Sequence, residues 1–264
     1  MNISKPYSLN VGGRLVDLTV PLVMGIVNCT PDSFFKLSRA EVGKWTEDVA
    51  DADIIDVGAY STRPGHGDVS VEEEKERLRR FLPEMKERVG ENVVISVDTF
   101  RAEVARMCVE EYGVGIVNDV SGGVDEGMFE TVAELGVPYV LTDNPEDGFG
   151  CVEDSIVRLL KKMQTLRQLG QKDIIIDPGI GFGKTLDENY EVMSKLELYH
   201  SLDVPLLVGV SRKSMIQNVL NCSADEALNG TTVLNTAALM KGADILRVHD
   251  VKEAKETVKI YCRL

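Results

Sequence analysis

The sequence predicts a single (β/α)₈ barrel, preceded by a short N-terminal β-hairpin. Three observations point there. Short runs rich in Val, Ile and Leu recur along the whole chain, separated by longer amphipathic stretches. The runs are too continuously apolar for strands with one wet face, so they belong to a parallel sheet buried on both sides. Eight such runs within 264 residues match the repeat number and length of a barrel. A doubly wound open sheet is the alternative, but it carries a GxGxxG turn after its first strand. Here the first strand runs into Asn28-Cys29-Thr30-Pro31-Asp32 instead.

The elements follow in order. Residues 7–19 place Gly12-Gly13 between two short runs, which marks a tight hairpin turn. Residues 1–20 are therefore expected to form an extension that plugs the bottom of the barrel. Strands are expected at 22–27, 53–57, 93–97, 114–117, 137–141, 173–176, 205–210 and 244–248. The spacers read as helices. Residues 101–112 put Val104, Met107 and Cys108 on one side, and 153–169 put Ile156, Leu159, Leu160, Met163 and Leu166 at helical spacing. Gly90, Gly113, Gly136 and Gly170 stand where helices stop. Trp45 is expected to pack in the first helix. No Pro/Gly/Ser-rich linker divides the chain, so residues 1–264 are expected to form one domain.

Composition narrows the function. Hydrophobic content of 44% and charged content of 27% are ordinary for a globular chain. The apolar runs are far shorter than the roughly 20 residues that span a bilayer, and no signal peptide is visible at the start. Five scattered cysteines without a CxxC pair fit reduced thiols and a cytoplasmic location. A net charge of −14 excludes a general binder of nucleic acid or of an anionic membrane. Much of the acid lies in Val71–Arg80, where Glu72, Glu73, Glu74 and Glu76 alternate with Lys75 and Arg77. That pattern reads as a solvated helix face.

In such a barrel the active site lies at the C-terminal ends of the strands. The strand ends carry Asn28, then Asp56 with the following Ser61-Thr62-Arg63-Pro64-Gly65, then Asp98, Asn118, Thr142-Asp143-Asn144, Asp177, Ser211-Arg212-Lys213 and Arg247 with His249. Loop residues are polar by default, yet this rim concentrates Asp, Asn, Arg and Lys. Asp98, Asn118 and Asp177 supply acceptor oxygens for a flat heterocycle that displays N–H donors. Lys213 suits a carbonyl oxygen or ring nitrogen. Arg247 suits stacking on a ring or holding a phosphate. Arg63, Arg247 and His249 together would neutralise a phosphate group. Asn28, a neutral oxygen ligand, suits Mg²⁺ that keeps much of its water. The inferred ligand is a heterocycle with an anionic leaving group.

Other residues take plainer readings. Gly181-Phe182-Gly183-Lys184-Thr185 falls short of a phosphate loop, because Pro178 stands where the motif needs glycine. Cys29 reads as filler, and His66 and His200 as surface residues.

The segments MGIVNCTPDSF (24–34), IIDVGAYSTRPG (54–65), ISVDTFRAEVA (95–105), IVNDVSGG (116–123), DPGIGFGKT (177–185), VGVSRKS (208–214) and GADILRVHD (242–250) resemble, in order, the dihydropteroate synthase family of folate biosynthesis. The resemblance implies a homodimeric TIM barrel. It implies a transferase that joins 4-aminobenzoate to 6-hydroxymethyl-7,8-dihydropterin diphosphate, with Mg²⁺, and is inhibited by sulfonamides. By the same resemblance, Asp98, Asn118, Asp177 and Lys213 hold the pterin, and Arg247 stacks on it and reaches the diphosphate. Asn28 contacts the metal, and Thr62, Arg63 and His249 bind diphosphate. Phe34, Pro64 and Ser211 line the aminobenzoate pocket. Two departures stand out. The stretch between Phe34 and Asp56 is short, with Phe35-Lys36-Leu37 in place of the family's glycines. Strand five ends Leu141-Thr142-Asp143-Asn144 in place of the family's Leu-Met-His-Met. A non-catalytic pterin-binding paralogue and a methyltetrahydrofolate-binding methyltransferase barrel are the alternatives. Retention of STRPG and RVH speaks against the latter.

Overall fold

The computed structural model describes residues 7–29, 49, 51–60, 69–90 and 93–264. Strands β1 (Ser8–Val11) and β2 (Arg14–Asp17) form the expected antiparallel hairpin. Gly12 and Gly13 turn it with φ of 58° and 87°, a left-handed pair open to glycine.

Eight parallel strands follow: β3 (Leu22–Asn28), β4 (Ile54–Gly58), β5 (Val94–Asp98), β6 (Ile116–Asp119), β7 (Tyr139–Thr142), β8 (Ile174–Asp177), β9 (Leu207–Val208) and β10 (Ile245–Val248). Their order is β8-β7-β6-β5-β4-β3-β10-β9. A parallel bridge between Ile176 and Leu206 brings the two edges together, and the Ile176 N–H donates to the Pro205 carbonyl at 2.9 Å. The architecture is the expected TIM barrel with its N-terminal hairpin. Most strands run one residue further along than the hydrophobic runs suggest. The run 205–210 shrinks to β9, because Pro205 has no N–H to give the ladder.

The described helices are α1 (Val71–Val89), α2 (Ala102–Tyr112), α3 (Met128–Leu135), α4 (Val152–Gln168), α5 (Leu186–Ser194), α6 (Ser214–Leu220), α7 (Leu228–Met240) and α8 (Val251–Tyr261). A short 3₁₀ turn (Leu196–Leu202) precedes β9. Gly113 and Gly136 end α2 and α3 in the left-handed conformation, as expected. One reading of α1 is corrected. Glu74 is not part of the solvated face. It lies with Leu78 and Phe81 on the buried side of the helix and accepts from Thr99 Oγ1 and Arg101 Nη1, both at 2.7 Å. A run of glutamates looks uniform in sequence, but the helical period sends one in four inward. His200, read as a surface residue, is half-buried, with Nε2 3.0 Å from the Lys241 carbonyl.

Two cores result. One lies between the sheet and the helices. The other fills the barrel's lower interior with Met24, Ile54, Val94, Ile116, Val140, Ile175, Leu207 and Ile245, one residue from each strand. Leu9 and Leu18 of the hairpin region close this layer from below. The fit is tight: a Cβ on Gly115 would stand 2.4 Å from Val11 Cγ1. The hairpin is the plug that the sequence suggests.

Candidate active site

Successive side chains of a strand alternate faces, so the residue two positions on points the same way. Above Ile54 comes Asp56. Above Val94 come Ser96 and Asp98. Above Ile116, Val140, Ile175 and Ile245 come Asn118, Thr142, Asp177 and Arg247. The strand registers align these groups around the upper interior. One pleat repeat converts a dry plug into a polar pocket.

The pocket's charges are interlinked. Arg247 Nε donates to Asp56 Oδ2 at 2.7 Å and its Nη2 to Asp98 Oδ2 at 2.5 Å. Asn118 Nδ2 donates to the same Asp56 oxygen at 2.8 Å. One guanidinium thus serves two carboxylates. Burial raises the Asp98 pKa, Arg247 opposes that, and the neighbouring Asp56 and Asp119 add to it. Burial disfavours the Arg247 charge, but Asp56 and Asp98 outweigh it and hold the group above its ordinary range.

Asp177 and Lys213 form the other side. Asp177 is pushed up by burial and pulled down chiefly by Lys213. Lys213 is lowered to about 8 by burial, with Asp177 opposing. Its ammonium donates to the Ile180 carbonyl and sits 4.7 Å from the Phe182 ring centroid. Asp177 Oδ1 accepts from the Gly179 N–H at 2.8 Å.

At the mouth, His249 Nδ1 lies 3.0 Å from Ser211 Oγ, which also accepts the His249 backbone N–H at 3.1 Å. Asn28 is exposed on the rim at the end of β3. A Cβ on Gly58 would meet Asn28 Oδ1 at 3.8 Å and Asp98 Oδ2 at 3.7 Å, so the amide oxygen borders the carboxylate. The structure therefore gathers Asn28, Asp98, Asn118, Asp177, Ser211, Lys213, Arg247 and His249 at one end of the barrel. Phe34, Thr62, Arg63 and Pro64, and with them Trp45 and His66, lie outside the described residues.

Some contributors carry no assigned role in the sequence reading. Asp56 stands there among the strand-end residues without a role, yet it is the hub of the network, and its place two residues beyond Ile54 on an inward face is the signal that could have assigned one. Phe182 faces Lys213. Arg212 adopts a left-handed φ of 55°, which is uncommon for a side chain of this size. Its fork on Asp250, at 2.9 and 2.6 Å, holds that turn. No spacing in the sequence announces this pair.

Three buried polar atoms on the inward face, Asp56 Oδ1, Ser96 Oγ and Thr142 Oγ1, have no hydrogen-bond partner among the described residues. Buried polar groups are normally satisfied, so such a cluster fits a polar ligand or ordered water. The plainer readings also stand. Cys29 is buried, and burial raises its thiol well above the usual range, which suits packing rather than nucleophilic attack. Lys184 spends its ammonium on the chain's own carbonyls, so the Gly181–Thr185 stretch does not offer it to a phosphate. Among the described residues no group of three or more His, Cys, Asp or Glu is placed to hold a metal. No described helix is long and apolar enough to cross a membrane.

Comparison with known proteins agrees with this geometry. The family model for pterin binding enzymes matches residues 24–249. The chain is 38% identical over 266 residues to a dihydropteroate synthase of Escherichia coli K12, covering 94% of this chain and 93% of that protein. It is 40% identical over 250 residues to the Clostridium beijerinckii dihydropteroate synthase, covering 90% and 92%. The Xanthomonas albilineans dihydropteroate synthase solved with 4-aminobenzoic acid superposes with a TM-score of 0.87 at 34% identity, covering 98% of each chain. The Coxiella burnetii dihydropteroate synthase in complex with pteroic acid gives a TM-score of 0.87 at 31% identity, covering 97% of this chain and 98% of that one.

Proposed function

The chain belongs to the pterin-binding enzyme family and functions as a dihydropteroate synthase, a transferase, and we propose that it joins 4-aminobenzoate to 6-hydroxymethyl-7,8-dihydropterin diphosphate, releasing diphosphate. The observation that carries this reading is the polar ring above an apolar plug. It combines acceptor oxygens, a lysine and an arginine shared by two carboxylates with buried oxygens that lack partners among the described residues.

Asp98, Asn118 and Asp177 receive the N–H edge of the pterin, and Lys213 donates to its carbonyl oxygen or ring nitrogen. Arg247 lies against the ring and reaches the diphosphate, which Thr62, Arg63 and His249 also hold. Phe34, Pro64 and Ser211 border the aminobenzoate. Asn28 fits Mg²⁺ as a lone neutral oxygen on an open rim, because this ion keeps most of its water and takes the rest of its ligands from phosphate. When bound, the ion supplies charge neutralisation to the diphosphate.

The reaction breaks the bond between the exocyclic carbon and the diphosphate oxygen, and the electron pair leaves with diphosphate. The carbon's positive charge spreads into the dihydropterin ring, next to the Asp98 carboxylate. The lone pair of the aminobenzoate nitrogen then forms the new C–N bond, and that nitrogen gives up a proton. No protein nucleophile is required. The protein's work is to stabilise the departing anion with Arg63, Arg247 and His249 and to hold the amine in line with the carbon.

The full chain acts as a homodimer. Helix α7 carries no charged residue, and it exposes Val233 and Met240 while Val219, Leu220 and Ile260 are exposed on its neighbours α6 and α8. Such an apolar patch fits a self-association surface. All five cysteines are free thiols, which fits a reducing cytoplasm.

The test is dihydropteroate formation by the purified protein from pterin diphosphate, 4-aminobenzoate and Mg²⁺. Product that disappears with EDTA is the expected result. Absence of product despite calorimetric binding of pterin diphosphate would reduce the protein to a pterin binder.

A further inference from the structure

The turn that follows β8 carries two pocket contacts. At its start, the Gly179 N–H donates to Asp177 Oδ1 at 2.8 Å. Further on, the Ile180 carbonyl accepts from the Lys213 ammonium. The Lys213 stem lies on the same turn, since a Cβ on Gly181 would stand 3.0 Å from Lys213 Cδ. Wherever this turn goes, Lys213 goes with it.

The turn is held by Lys184. Its Nζ donates to the carbonyls of Gly179 at 2.9 Å, Asp143 at 3.0 Å and Phe182 at 3.4 Å. An ammonium has three donors, and all three are spent on backbone oxygens. The side chain is fully buried, with the Phe149 ring centroid 5.0 Å away. Two of the carbonyls belong to the turn, and the third follows β7. Lys184 therefore stitches one strand-end loop to the next. The crossing is so close that a Cβ on Gly179 would meet the Asp143 carbonyl oxygen at 2.0 Å.

The cost of burying this cation is met by Asp143, whose Oδ2 lies 3.9 Å from Lys184 Nζ. Asp143 is itself held by a two-pronged contact from Arg158, at 2.9 and 2.8 Å. Asp143 lies in the strand-five end where this chain departs from the family pattern, so the arrangement belongs to this chain's own residues. A clamp of this kind has no evident purpose for a surface loop. It makes sense if the turn must present a fixed carbonyl to a pocket lysine.

We propose that Lys184 is a positioning residue for pterin binding, fixing the Gly179–Gly183 turn and through the Ile180 carbonyl the place of the Lys213 ammonium. This rests on the reading of Lys213 as a pterin contact. Burial lowers the Lys184 pKa, with Asp143 opposing, which accords with a cation kept inside for a structural purpose.

The experiment is a double-mutant cycle on pterin diphosphate affinity, measured by calorimetry on the full chain. Lys184→Met should weaken binding about tenfold, as loss of a well-placed hydrogen bond does. In a Lys213→Ala background the same change should have little further effect, because its route is already gone. Should Lys184→Met fail to fold, Lys184→Gln keeps two donors without the charge and enters the same cycle. Additive effects of the two substitutions overturn the proposal. So does a lowered melting temperature with unchanged affinity in the folded protein, which would mark Lys184 as a structural residue only. Unchanged affinity in Lys213→Ala alone overturns the pocket reading, and this inference falls with it.

Discussion

The two ends of the barrel interior are built from the same strands and differ by one pleat repeat. At the lower end every strand turns an aliphatic or methionine side chain inward, and Leu9 and Leu18 seal the layer. At the upper end the same faces present Asp56, Asp98, Asn118, Asp177 and Arg247, all but Asp177 joined to one another by hydrogen bonds, while Asp56 Oδ1, Ser96 Oγ and Thr142 Oγ1 have no partner among the described residues. The lower end gains its free energy by dehydrating apolar surface. The upper end holds charges out of water, which contributes little net stability. Stability and function are therefore separated along the strand axis, and substitutions at the two ends should fail in different ways.

The largest effect is expected at the upper end. Arg247→Met leaves Asp56 and Asp98 facing each other without their shared cation. Dihydropteroate formation should fall by about a thousandfold in kcat/KM, as when a main charge stabiliser is removed. Uncompensated buried carboxylates should also lower unfolding free energy at pH 7 by about 3 kcal/mol. Part of that loss should return at pH 4, where Asp98, whose pKa burial raises, takes up a proton. Initial rates and urea titrations at the two pH values check both statements, and a variant that keeps its activity would remove Arg247 from the site.

Leu18→Ala is the counterpart at the lower end. It empties part of a sealed apolar layer, and a loss of about 2–4 kcal/mol is expected from urea unfolding. Pterin diphosphate affinity should stay within about threefold of the parent, since no pocket group touches the plug. A large affinity loss would mean that the two ends are coupled, and the separation would fail.

The same division explains what the sequence conveyed. The barrel was legible because eight apolar runs encode strands buried on both faces, and the hairpin because Gly12-Gly13 encodes its turn. The rim residues were legible because strand ends are where a barrel places its chemistry. Asp56 was legible as a rim residue but not as the hub, since it lies inside an apolar run and only the inward parity of Ile54 and Asp56 marks its role. Glu74 was misread because its neighbours at 72, 73 and 76 mask a buried carboxylate whose partners, Thr99 and Arg101, come from another strand end. The Lys184 clamp was invisible for a related reason. Its acceptors are backbone carbonyls, and every residue has one.

Asp244 is an exception within the apolar end, and so sharpens the comparison. It is fully buried at the foot of β10, where Oδ2 accepts from the Leu206 N–H at 2.8 Å while Oδ1 has no partner among the described residues. Burial raises its pKa to about 7. The unfolded chain releases this proton near the usual value of about 4, so between about pH 4 and 7 the folded state holds more protons than the unfolded state. Stability from this group is therefore full below about pH 4 and declines as pH rises toward 7. Asp244→Asn keeps an acceptor for Leu206 and abolishes the slope. It should be about 1–3 kcal/mol more stable than the parent at pH 8 and no more stable at pH 4. Equal stability across the range would show that the carboxyl is not buried in a charge-excluding site.

The smallest effect is expected from Lys213, where the upper end meets solvent pH. Burial brings this amine to about 8, with Asp177 opposing. On the proposed reading, the ammonium form gives the pterin carbonyl or ring nitrogen a charge-assisted hydrogen bond, stronger than the neutral amine gives, while it also serves the Ile180 carbonyl. Ligand binding then favours the protonated enzyme, and affinity should decline once pH passes about 8. Between pH 7 and 9 the Kd for pterin diphosphate should rise by about tenfold, close to one pH unit of linkage. Lys213→Met has no proton to lose, so its weaker affinity should stay flat over the same range. The lower end contributes nothing to this profile, and the Leu18→Ala protein should reproduce the parent's curve. A limb that persists in Lys213→Met would assign the titration to the ligand or to another pocket group, and would move the functional amine away from β9.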